Sequence, residues 1–576
     1  MNLVLTNLLR SFRASHEIDA TLPEEKAFEY FVNCLIAQGL SPGKVDPAEI
    51  TSGDDDAGID GVIVAIDGEI VVSLDEAEEI FKRPKHQFVA EVVLTQVKTS
   101  EHFTKAEITN FSDGVYDFFS SPPKLPHGKW TKDARDLILS LFNSPGKLRG
   151  GRPSLRLVFA TTGTYRDESE LRAAFEIMTE KVGQHGLFSP ISYEPLDRDA
   201  LIDRSSKLKT DVVAELPCIG AVGYPIVEGI TSAYVAVVRA NDLVNRLLLD
   251  ESGSPRPFIF DENVRDFLGA NNEVNDKMQT ALASPQIRSR FGIMNNGVTI
   301  ISPSVTFRGT TFTLKQFQIV NGCQTSNTLL EQQETLSDDV VITAKIVEAS
   351  DPEVIASIIK ATNSQTKVDE SAFLSLSPVA RKIENYFKAR AQTHPLEPEL
   401  FLERRQGQFR ASEVTQSRII NLKDLFRAVA AFWFDRPDLA ARYPAEITTE
   451  LKILLETSNR EIVYFTAAMA LYRVGLLISA RKLPQDFIKA RWHLLMCLKY
   501  VANVGDAPNI NHKKADAYCD GLLAKLADEN GLAMFDAAVG LMKNQGSYAR
   551  DTIRSKGYID LLRSAAKGTP VSKAKT

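Results

Sequence analysis

Hydrophobic residues in the first 205 positions switch repeatedly between helical and strand spacing. In LPEEKAFEYFVNCLIAQGL (22–40) the apolar residues fall on one helical face. IDGVIVAIDGEIVVS (59–73) contains two strand-like runs around Asp67-Gly68, which predicts a hairpin. Further strands are predicted at FVAEVVLTQVK, SLRLVFATT and PISYEPL, and further helices at TKAEITNFSDGVYDFF and DESELRAAFEIMTEKV. The order helix, three strands, helix, strand, helix, strand indicates an α/β layer fold.

The remaining chain changes character twice. Residues 206–255 form a less regular connection that includes the apolar run AYVAVV. From 256 to 420 the strand-like runs GVTIISPSVTF, QFQIVNGCQT and VVITAKIVEA alternate with helical segments, and from 421 the spacing is helical. We therefore predict a multidomain α/β and α+β protein with domains at 1–205, 256–420 and 421–565, a connecting segment at 206–255 and a flexible tail at 566–576.

Composition narrows the class of protein. The chain has 576 residues, 44% of them hydrophobic and 24% charged, and a formal net charge of −7. This balance argues against a generally basic nucleic-acid coat, although it permits a local basic channel. The five cysteines form no CxxC pair and the histidines show no zinc-binding spacing. The most apolar stretch, FTAAMALYRVGLLISA, contains Arg473 and is shorter than the ~20 residues that span a bilayer. We expect a cytoplasmic protein that does not enter membranes.

Polar side chains at two predicted strand ends form a candidate site. Asp60 stands at the start of one strand, while Gln96 and Lys98 lie two residues apart and so share a face at the end of another. One interpretation is a strand whose end has reached solvent. The other is a Mg²⁺ or Mn²⁺ site held by Asp60, Gln96 and the carbonyl of Val97, with Lys98 beside the attacked phosphate.

The same pattern resembles the PD-(D/E)xK nucleases, and the Mrr-like restriction endonucleases in particular. Their first helix carries an FE pair, which corresponds here to Phe28-Glu29, with Glu25 one turn earlier as the substitute. The resemblance implies a restriction-endonuclease-like α/β fold, with Asp60, Gln96, Lys98 and Glu29 as catalytic residues. It also implies a metal-dependent endonuclease acting on DNA, with RNA as the alternative. Gln96 stands where most members carry an acid, which removes one negative charge.

Five central motifs resemble those of the AIPR family, named for abortive infection and phage resistance. They are FDENVRDFLG (260–269), FGIMNNGVTII (291–301), FQIVNGCQTSNTL (317–329), IIKATNSQTKV (358–368) and FLERRQGQF (401–409). The resemblance implies a bacterial phage-defence protein in which an AIPR core regulates the endonuclease in response to a phage-derived trigger. The rival interpretation is a non-catalytic sensor or scaffold whose nuclease domain has degenerated and binds only nucleic acid or nucleotide.

The turn IVNGCQT joins an apolar strand to a helix whose free N–H groups favour anions. The order of elements around it resembles the ParB/sulfiredoxin-type nucleotide-binding fold, although Gln324-Thr325 replaces the arginine expected there. This resemblance implies nucleotide or phosphate binding by the following residues: Asn321, Gly322, Gln324, Thr325 and Asn363. The alternative is that the Asn and Gln side chains cap turns and satisfy buried backbone groups.

Basic and apolar features complete the sequence-based predictions. Arg404 and Arg405 form a positive cluster that is either a phosphate contact or a solvated, salt-bridged face. The C-terminal helices carry apolar stripes, in which Trp492 and His493 are expected to be packing residues. This helical region is a candidate for self-association, and we expect a homodimer.

Overall fold

The computed structural model describes residues 2–41, 43–53, 56–83, 87–209, 213–250, 253, 256, 259, 278–282, 284–333, 336–362, 377–404, 408–409, 414–442, 446–483, 487–502, 506–527, 532–546, 550–553 and 555–567. The chain forms two compact units. The first combines Met1–Pro84, Phe88–Leu208 and Ser377–Thr576, and the second contains Lys209–Leu376 together with Lys85–Gln87. The predicted C-terminal helical region therefore packs in the same unit as the N-terminal α/β region.

The N-terminal part of the first unit follows the predicted order, with added short helices. Its helices are α1 (Leu3–Ser15), α2 (Glu24–Leu40), α3 (Pro47–Ile50), α4 (Leu74–Lys82), α5 (Lys105–Phe119), α6 (Lys129–Ser140), α7 (Ser169–Gly183) and α8 (Arg198–Lys209). Its strands are β1 (Gly61–Ile66), β2 (Glu69–Val71), β3 (Ala90–Lys98), β4 (Ser154–Thr161) and β5 (Ile191–Leu196). Short 3₁₀ turns occupy Leu141–Asn143, Pro145–Lys147 and Arg149–Gly151.

These strands form one mixed sheet in the order β2-β1-β3-β4-β5. β1 pairs antiparallel with β2 and β3, whereas β3, β4 and β5 run parallel. The predicted hairpin turn is present, with Asp67 at φ 51° and Gly68 at φ 79°, as a tight primed turn requires. A buried cluster that includes Phe111, Phe159 and Phe175 joins the sheet to α5 and α7. The sheet is thus a rigid platform for the ends of β1 and β3.

Helices from the C-terminal part complete the first unit. Its α-helices are Pro378–Thr393, Leu422–Phe432, Pro437–Arg442, Ile447–Glu450, Glu461–Ser479, Phe487–Val501, Lys514–Ala527, Leu532–Asn544, Arg550–Ile553 and Lys556–Lys567. Two short parallel strands, which we number β14 (Phe401–Glu403) and β15 (Ile419–Asn421), accompany 3₁₀ turns at Gln416–Arg418 and Lys452–Leu455.

Ion pairs with little solvent exposure connect these helices to the N-terminal part of the unit. Arg427 donates to Glu76 on α4 at 2.8 Å, and both side chains are less than a tenth exposed. Arg491 pairs with Glu49 on α3. The guanidinium groups of Arg427 and Arg491 both lie on the ring of Trp492, at 4.5 and 4.8 Å from its centroid. Removing either partner of such a pair would leave a buried charge uncompensated.

The second unit is built from two sheets. β6 (Val213–Pro217), β10 (Ser304–Arg308) and β11 (Thr311–Lys315) form one in the order β10-β11-β6. β7 (Gly220–Gly223), β8 (Ser232–Arg239), β9 (Val298–Ser302), β12 (Gln318–Asn321) and β13 (Val341–Glu348) form the other in the order β12-β9-β13-β8-β7. Helices lie at Ala240–Asp242, Pro285–Arg288, Phe291–Met294, Cys323–Glu331 and Pro352–Thr362, with a π-helix at Leu243–Leu248.

One helix in the described part of the chain is long and apolar enough to cross a membrane. It is Glu461–Ser479, and 78% of its most apolar window is buried inside the protein. That burial is typical of a core helix in a soluble protein. The expectation that this stretch is too short to cross a membrane was wrong, because the helix extends to 19 residues.

Candidate active site

The pairing of β1 with β3 brings the predicted N-terminal site residues together. Gly61 lies opposite Thr95, so that Asp60 stands beside the last residues of β3. The backbone N–H of Asp60 donates to the carbonyl of Thr95 at 2.8 Å. The N–H of Val97 in turn donates to Asp60 Oδ2 at 2.7 Å. The Asp60 carboxylate is therefore fixed against the strand that carries Gln96 and Lys98.

Gln96 presents a buried oxygen at this end of the sheet. The residue is 5% exposed, and its Oε1 accepts no hydrogen bond from the described residues. Its amide nitrogen lies beside Gly58, where an added Cβ would be 3.3 Å away. Gly58 also has φ 82°, a conformation that glycine adopts readily. A buried amide oxygen without a donor is suited to a cation or a water molecule.

Glu29 faces the same site from α2. Burial and, to a smaller extent, the negative charge of Asp60 raise the pKa of Glu29 to about 7, against the opposing effect of an ion pair with Lys26. Burial likewise raises the pKa of Asp60 to about 6, against the opposing effects of Lys98 and the Val97 N–H. The two buried carboxylates thus share a region of incompletely compensated negative charge. The substitute acid, Glu25, is exposed in the first turn of the helix.

Lys98 is the cation two residues after Gln96 on β3. It is half-buried at the end of β3 and forms no ion pair with the described carboxylates. Its charge nevertheless stabilises the ionised form of Asp60, since it lowers the pKa of that carboxyl. The Lys98 ammonium group therefore acts on the site without being held in a salt bridge.

The donor set fits a hard divalent cation only if neutral oxygens contribute. Within the described ranges, no group of three or more His, Cys, Asp or Glu side chains is arranged to hold a metal ion. Two carboxylates, from Asp60 and Glu29, are available together with the orphaned oxygen of Gln96. Oxygen ligands of this kind, completed by water, are those that Mg²⁺ uses. For Val97, the contact with the site is through its N–H group.

Sequence reasoning missed three residues that shape this site. Asn33 lies four residues after Glu29 on α2, is fully buried, and hydrogen-bonds to the backbone carbonyl of Asp60. Asp56 accepts from the N–H of Gly58 and lies close enough to raise the pKa of both Glu29 and Asp60. Lys26 pairs with Glu29. A polar Asn33 within an apolar helical face is the signal that could have been noticed.

In the second unit, the motifs NNG and NGCQT meet because β9 pairs with β12. Gly322 has φ 95° and begins the helix Cys323–Glu331, and an added Cβ would lie 2.7 Å from the carbonyl oxygen of Gly297. The Oδ1 atom of Asn295 accepts from the N–H of Gly297 at 2.8 Å and from the Thr325 hydroxyl at 3.1 Å. Asn321 donates to the carbonyl of Thr362 at 2.8 Å.

These contacts agree with the interpretation that the motif side chains support a tight turn. Gln324 follows Gly322 in the first turn of the helix. Nucleotide binding by Asn321, Gly322, Gln324 and Thr325 stays a prediction. Asn363 lies outside the described residues, as does the motif FDENVRDFLG.

The predicted basic cluster belongs to the first unit. Arg404 donates to Glu384 at 2.7 Å, and both side chains are 9% exposed. The amide of Gln408 donates to the same carboxylate at 3.2 Å. The charge of Arg404 is therefore matched within the fold, and a phosphate contact by this residue stays a prediction. Arg405 lies outside the described residues.

Comparison with known proteins identifies the family. The family model described as AIPR protein matches residues 260–554, which is more than half of the chain and extends from the central motifs through most of the C-terminal helices. No curated protein and no solved structure matches the chain significantly. The chain therefore belongs to the AIPR family, the proteins of abortive infection and phage resistance.

Proposed function

We propose that this AIPR protein is a metal-dependent endonuclease of anti-phage defence. Its substrate is DNA, with RNA as the alternative, and its reaction is phosphodiester hydrolysis. The AIPR part of the chain regulates that activity. The family supports the role in defence, while the activity rests on the site at the ends of β1 and β3.

The observation that carries the proposal is a buried excess of negative charge beside an oxygen and a cation that have no hydrogen-bond or ion-pair partner among the described residues. Burial raises the pKa of both Asp60 and Glu29. Gln96 Oε1 accepts no hydrogen bond from the described residues, and Lys98 forms no ion pair with them. Strongly perturbed carboxylates at one end of a sheet are typical of functional sites.

Each residue of the candidate site would have a different role in phosphodiester hydrolysis. Bound Mg²⁺ or Mn²⁺ would polarise the phosphodiester and lower the pKa of a coordinated water. Asp60, Glu29 and Gln96 would hold the ion, and the backbone N–H of Val97 keeps the Asp60 carboxylate oriented. Lys98 would offset the charge that develops on the attacked phosphate.

One observation favours a second candidate, a nucleic-acid-binding module without catalysis. Lys26 already neutralises part of the charge on Glu29. With Gln96 in place of an acid, the site retains fewer negative groups than the PD-(D/E)xK nucleases that it resembles. In this second candidate, the ammonium group of Lys26 would compensate the charge of the carboxylates in place of a metal ion.

Plasmid cleavage separates the two candidates. Purified protein is incubated with supercoiled plasmid and Mg²⁺ or Mn²⁺, beside Asp60→Ala, Lys98→Ala and Lys105→Ala. Lys105 is a matched control, because it lies on the same unit in an exposed ion pair with Glu170. We expect wild type and the Lys105 variant to cleave and the other two to be inactive. Equal cleavage by all four proteins would refute the nuclease proposal. Binding without cleavage that survives both site mutations would favour the second candidate.

Regulation by a nucleotide is tested at the central turn. We propose that Asn321→Ala abolishes binding of ATP or GTP measured by calorimetry, with circular dichroism confirming that the variant is folded. Undiminished affinity in the folded variant would exclude a nucleotide site at Asn321.

A further inference from the structure

Asn33 occupies an unusual position for an amide side chain. It lies in the middle of α2, in a run of buried residues from Tyr30 to Ala37, and has no exposed surface. It is four residues after Glu29, so the two side chains lie on the same face of the helix. That face is the one directed at the ends of β1 and β3.

The Asn33 carboxamide joins three segments of the site. Its Nδ2 donates to the hydroxyl of Thr51 at 3.0 Å and to the backbone carbonyl of Asp60 at 3.3 Å. Its Oδ1 accepts from the hydroxyl of Thr95 at 2.7 Å. Thr51, Asp60 and Thr95 belong to the segment after α3, the start of β1 and the end of β3. One buried side chain thus connects the helix of Glu29 with both strands that carry the other site residues.

Gly61, the residue after Asp60, leaves the space that the Asn33 amide occupies. An added Cβ at Gly61 would lie 2.4 Å from Asn33 Nδ2 and 2.6 Å from its Oδ1, closer than any packing allows. Gly61 therefore permits the amide to reach the carbonyl of Asp60. A larger residue after Asp60 would exclude the amide from this position.

We infer that Asn33 is a positioning residue of the candidate active site, which sets the distance between the carboxylates of Glu29 and Asp60. The inference rests on the proposed function. Two charged groups on different elements keep a fixed separation only if those elements cannot slide, and burial of like charges favours their moving apart. The hydrogen bonds of Asn33 oppose that movement.

A purely structural amide would behave differently from a positioning one. Loss of a purely structural amide would lower stability and leave the affinity of the folded protein for metal ions unchanged. Loss of a positioning amide would also weaken ion binding, because the two carboxylates would relax apart. The charge, the acids and the cation of the site are all retained in Asn33→Ala, so a change in ion affinity would report geometry.

Mn²⁺ binding measured by calorimetry at pH 7.5 is the first test. We expect Asn33→Ala to weaken Mn²⁺ binding about tenfold or more and to reduce plasmid cleavage in parallel. Asn459→Ala is the matched control, since Asn459 is a buried asparagine that donates to the carbonyl of Ile453 and to Tyr464 in the helical region. This control should lose stability and keep the wild-type affinity. Wild-type affinity in Asn33→Ala would overturn the inference.

Substitution of Gly61, alone and together with Asn33→Ala, gives the second test. Gly61→Ala alone should abolish Mn²⁺ binding, because its methyl group would displace the Asn33 amide. The same substitution in the Asn33→Ala background should have little further effect, because the space has been vacated. If Gly61→Ala weakened binding equally in both backgrounds, the inference would be wrong.

The two proposals fail in distinguishable ways. If wild type and Asp60→Ala show the same lack of Mn²⁺ binding, the proposed function fails, and the inference falls with it. If wild type binds Mn²⁺ and Asp60→Ala does not, the metal site stands. The behaviour of Asn33→Ala then decides the role of Asn33 alone.

Discussion

Asp60→Asn removes a buried carboxylate from the strand ends while keeping an oxygen that can accept the hydrogen bond from the Val97 N–H. Burial raises the pKa of Asp60 from 3.8 to about 6, so the ionised form is less favourable in the folded protein than in the unfolded chain. At about 1.4 kcal/mol for each unit of pKa, this difference destabilises the folded state by about 3 kcal/mol when Asp60 is fully charged. The variant should therefore be more stable than wild type at neutral pH.

The pH dependence fixes the sign of the effect. Below pH 3.8 Asp60 is protonated in both states, so its raised pKa does not change the free energy of unfolding. Between pH 3.8 and about 6 the free energy of unfolding falls progressively, and above about pH 6 the loss is complete. The advantage of Asp60→Asn should thus reach its maximum of about 3 kcal/mol at pH 7.5 and be roughly half as large at pH 5. Mg²⁺ should stabilise wild type and leave the variant unchanged, because ligands stabilise only the state that binds them.

Urea unfolding followed by tryptophan fluorescence provides the assay. The three tryptophans, Trp130, Trp433 and Trp492, all belong to the first unit, so the signal reports that unit selectively. Asp199→Asn is the control, because Asp199 is an exposed aspartate whose pKa is lowered by Arg198, and this variant should gain no stability. A variant at position 60 that is less stable than wild type at pH 7.5, or a difference that is the same at pH 5 and 7.5, would refute the reasoning.

Three other features give predictions of the same kind. Gly322→Ala should unfold the turn of the second unit, because a side chain at φ 95° meets the neighbouring backbone; circular dichroism and limited proteolysis would detect this, and a wild-type profile would contradict it. Arg427→Met should destabilise the first unit by about 3 kcal/mol or more in urea, because the Glu76 carboxylate is left buried without its partner. The double variant with Glu76→Met should recover most of this stability. An equal loss of stability in the single and the double variant would refute this explanation. Burial lowers the pKa of His493 from 6.5 to about 4, so wild type should lose stability as the pH falls from 6.5 to 4, and His493→Gln should lose less over that range in the same urea assay.

The order of elements in the N-terminal part followed from short-range patterns. Continuous apolar runs located β1 and β3, and the pairing of these strands was enough to expect Asp60 near Gln96 and Lys98. The hairpin at Asp67-Gly68 followed from turn chemistry alone. These features depend on residues close in sequence or on the regular pairing of neighbouring strands.

Other contacts required information that no local pattern contains. The ion pair of Lys26 with Glu29 and the hydrogen bonds of Asn33 depend on how α2 lies against the sheet. The sequence left open whether Arg404 contacts a phosphate or forms a salt bridge, because its partner, Glu384, lies 20 residues away on another element. The pairing of Arg427 with Glu76 joins positions 351 residues apart. Such contacts are set by the packing of whole elements and not by the periodicity of any one of them.

The division of the first unit into distant stretches of chain affects the order in which it can form. During synthesis, residues 1–208 emerge from the ribosome before residues 377–567, which supply Arg427 and Arg491 to the buried carboxylates of Glu76 and Glu49. Until then Glu76 and Glu49 lack their arginine partners, and α3, which leads into Thr51 and the segment before Asp60, lacks its ion pair with the C-terminal helices. The fold around the candidate active site would therefore be completed only after the AIPR part has been translated. Premature termination before Arg427 would then yield a chain that lacks both ion pairs, in which we expect the candidate site to be incompletely folded.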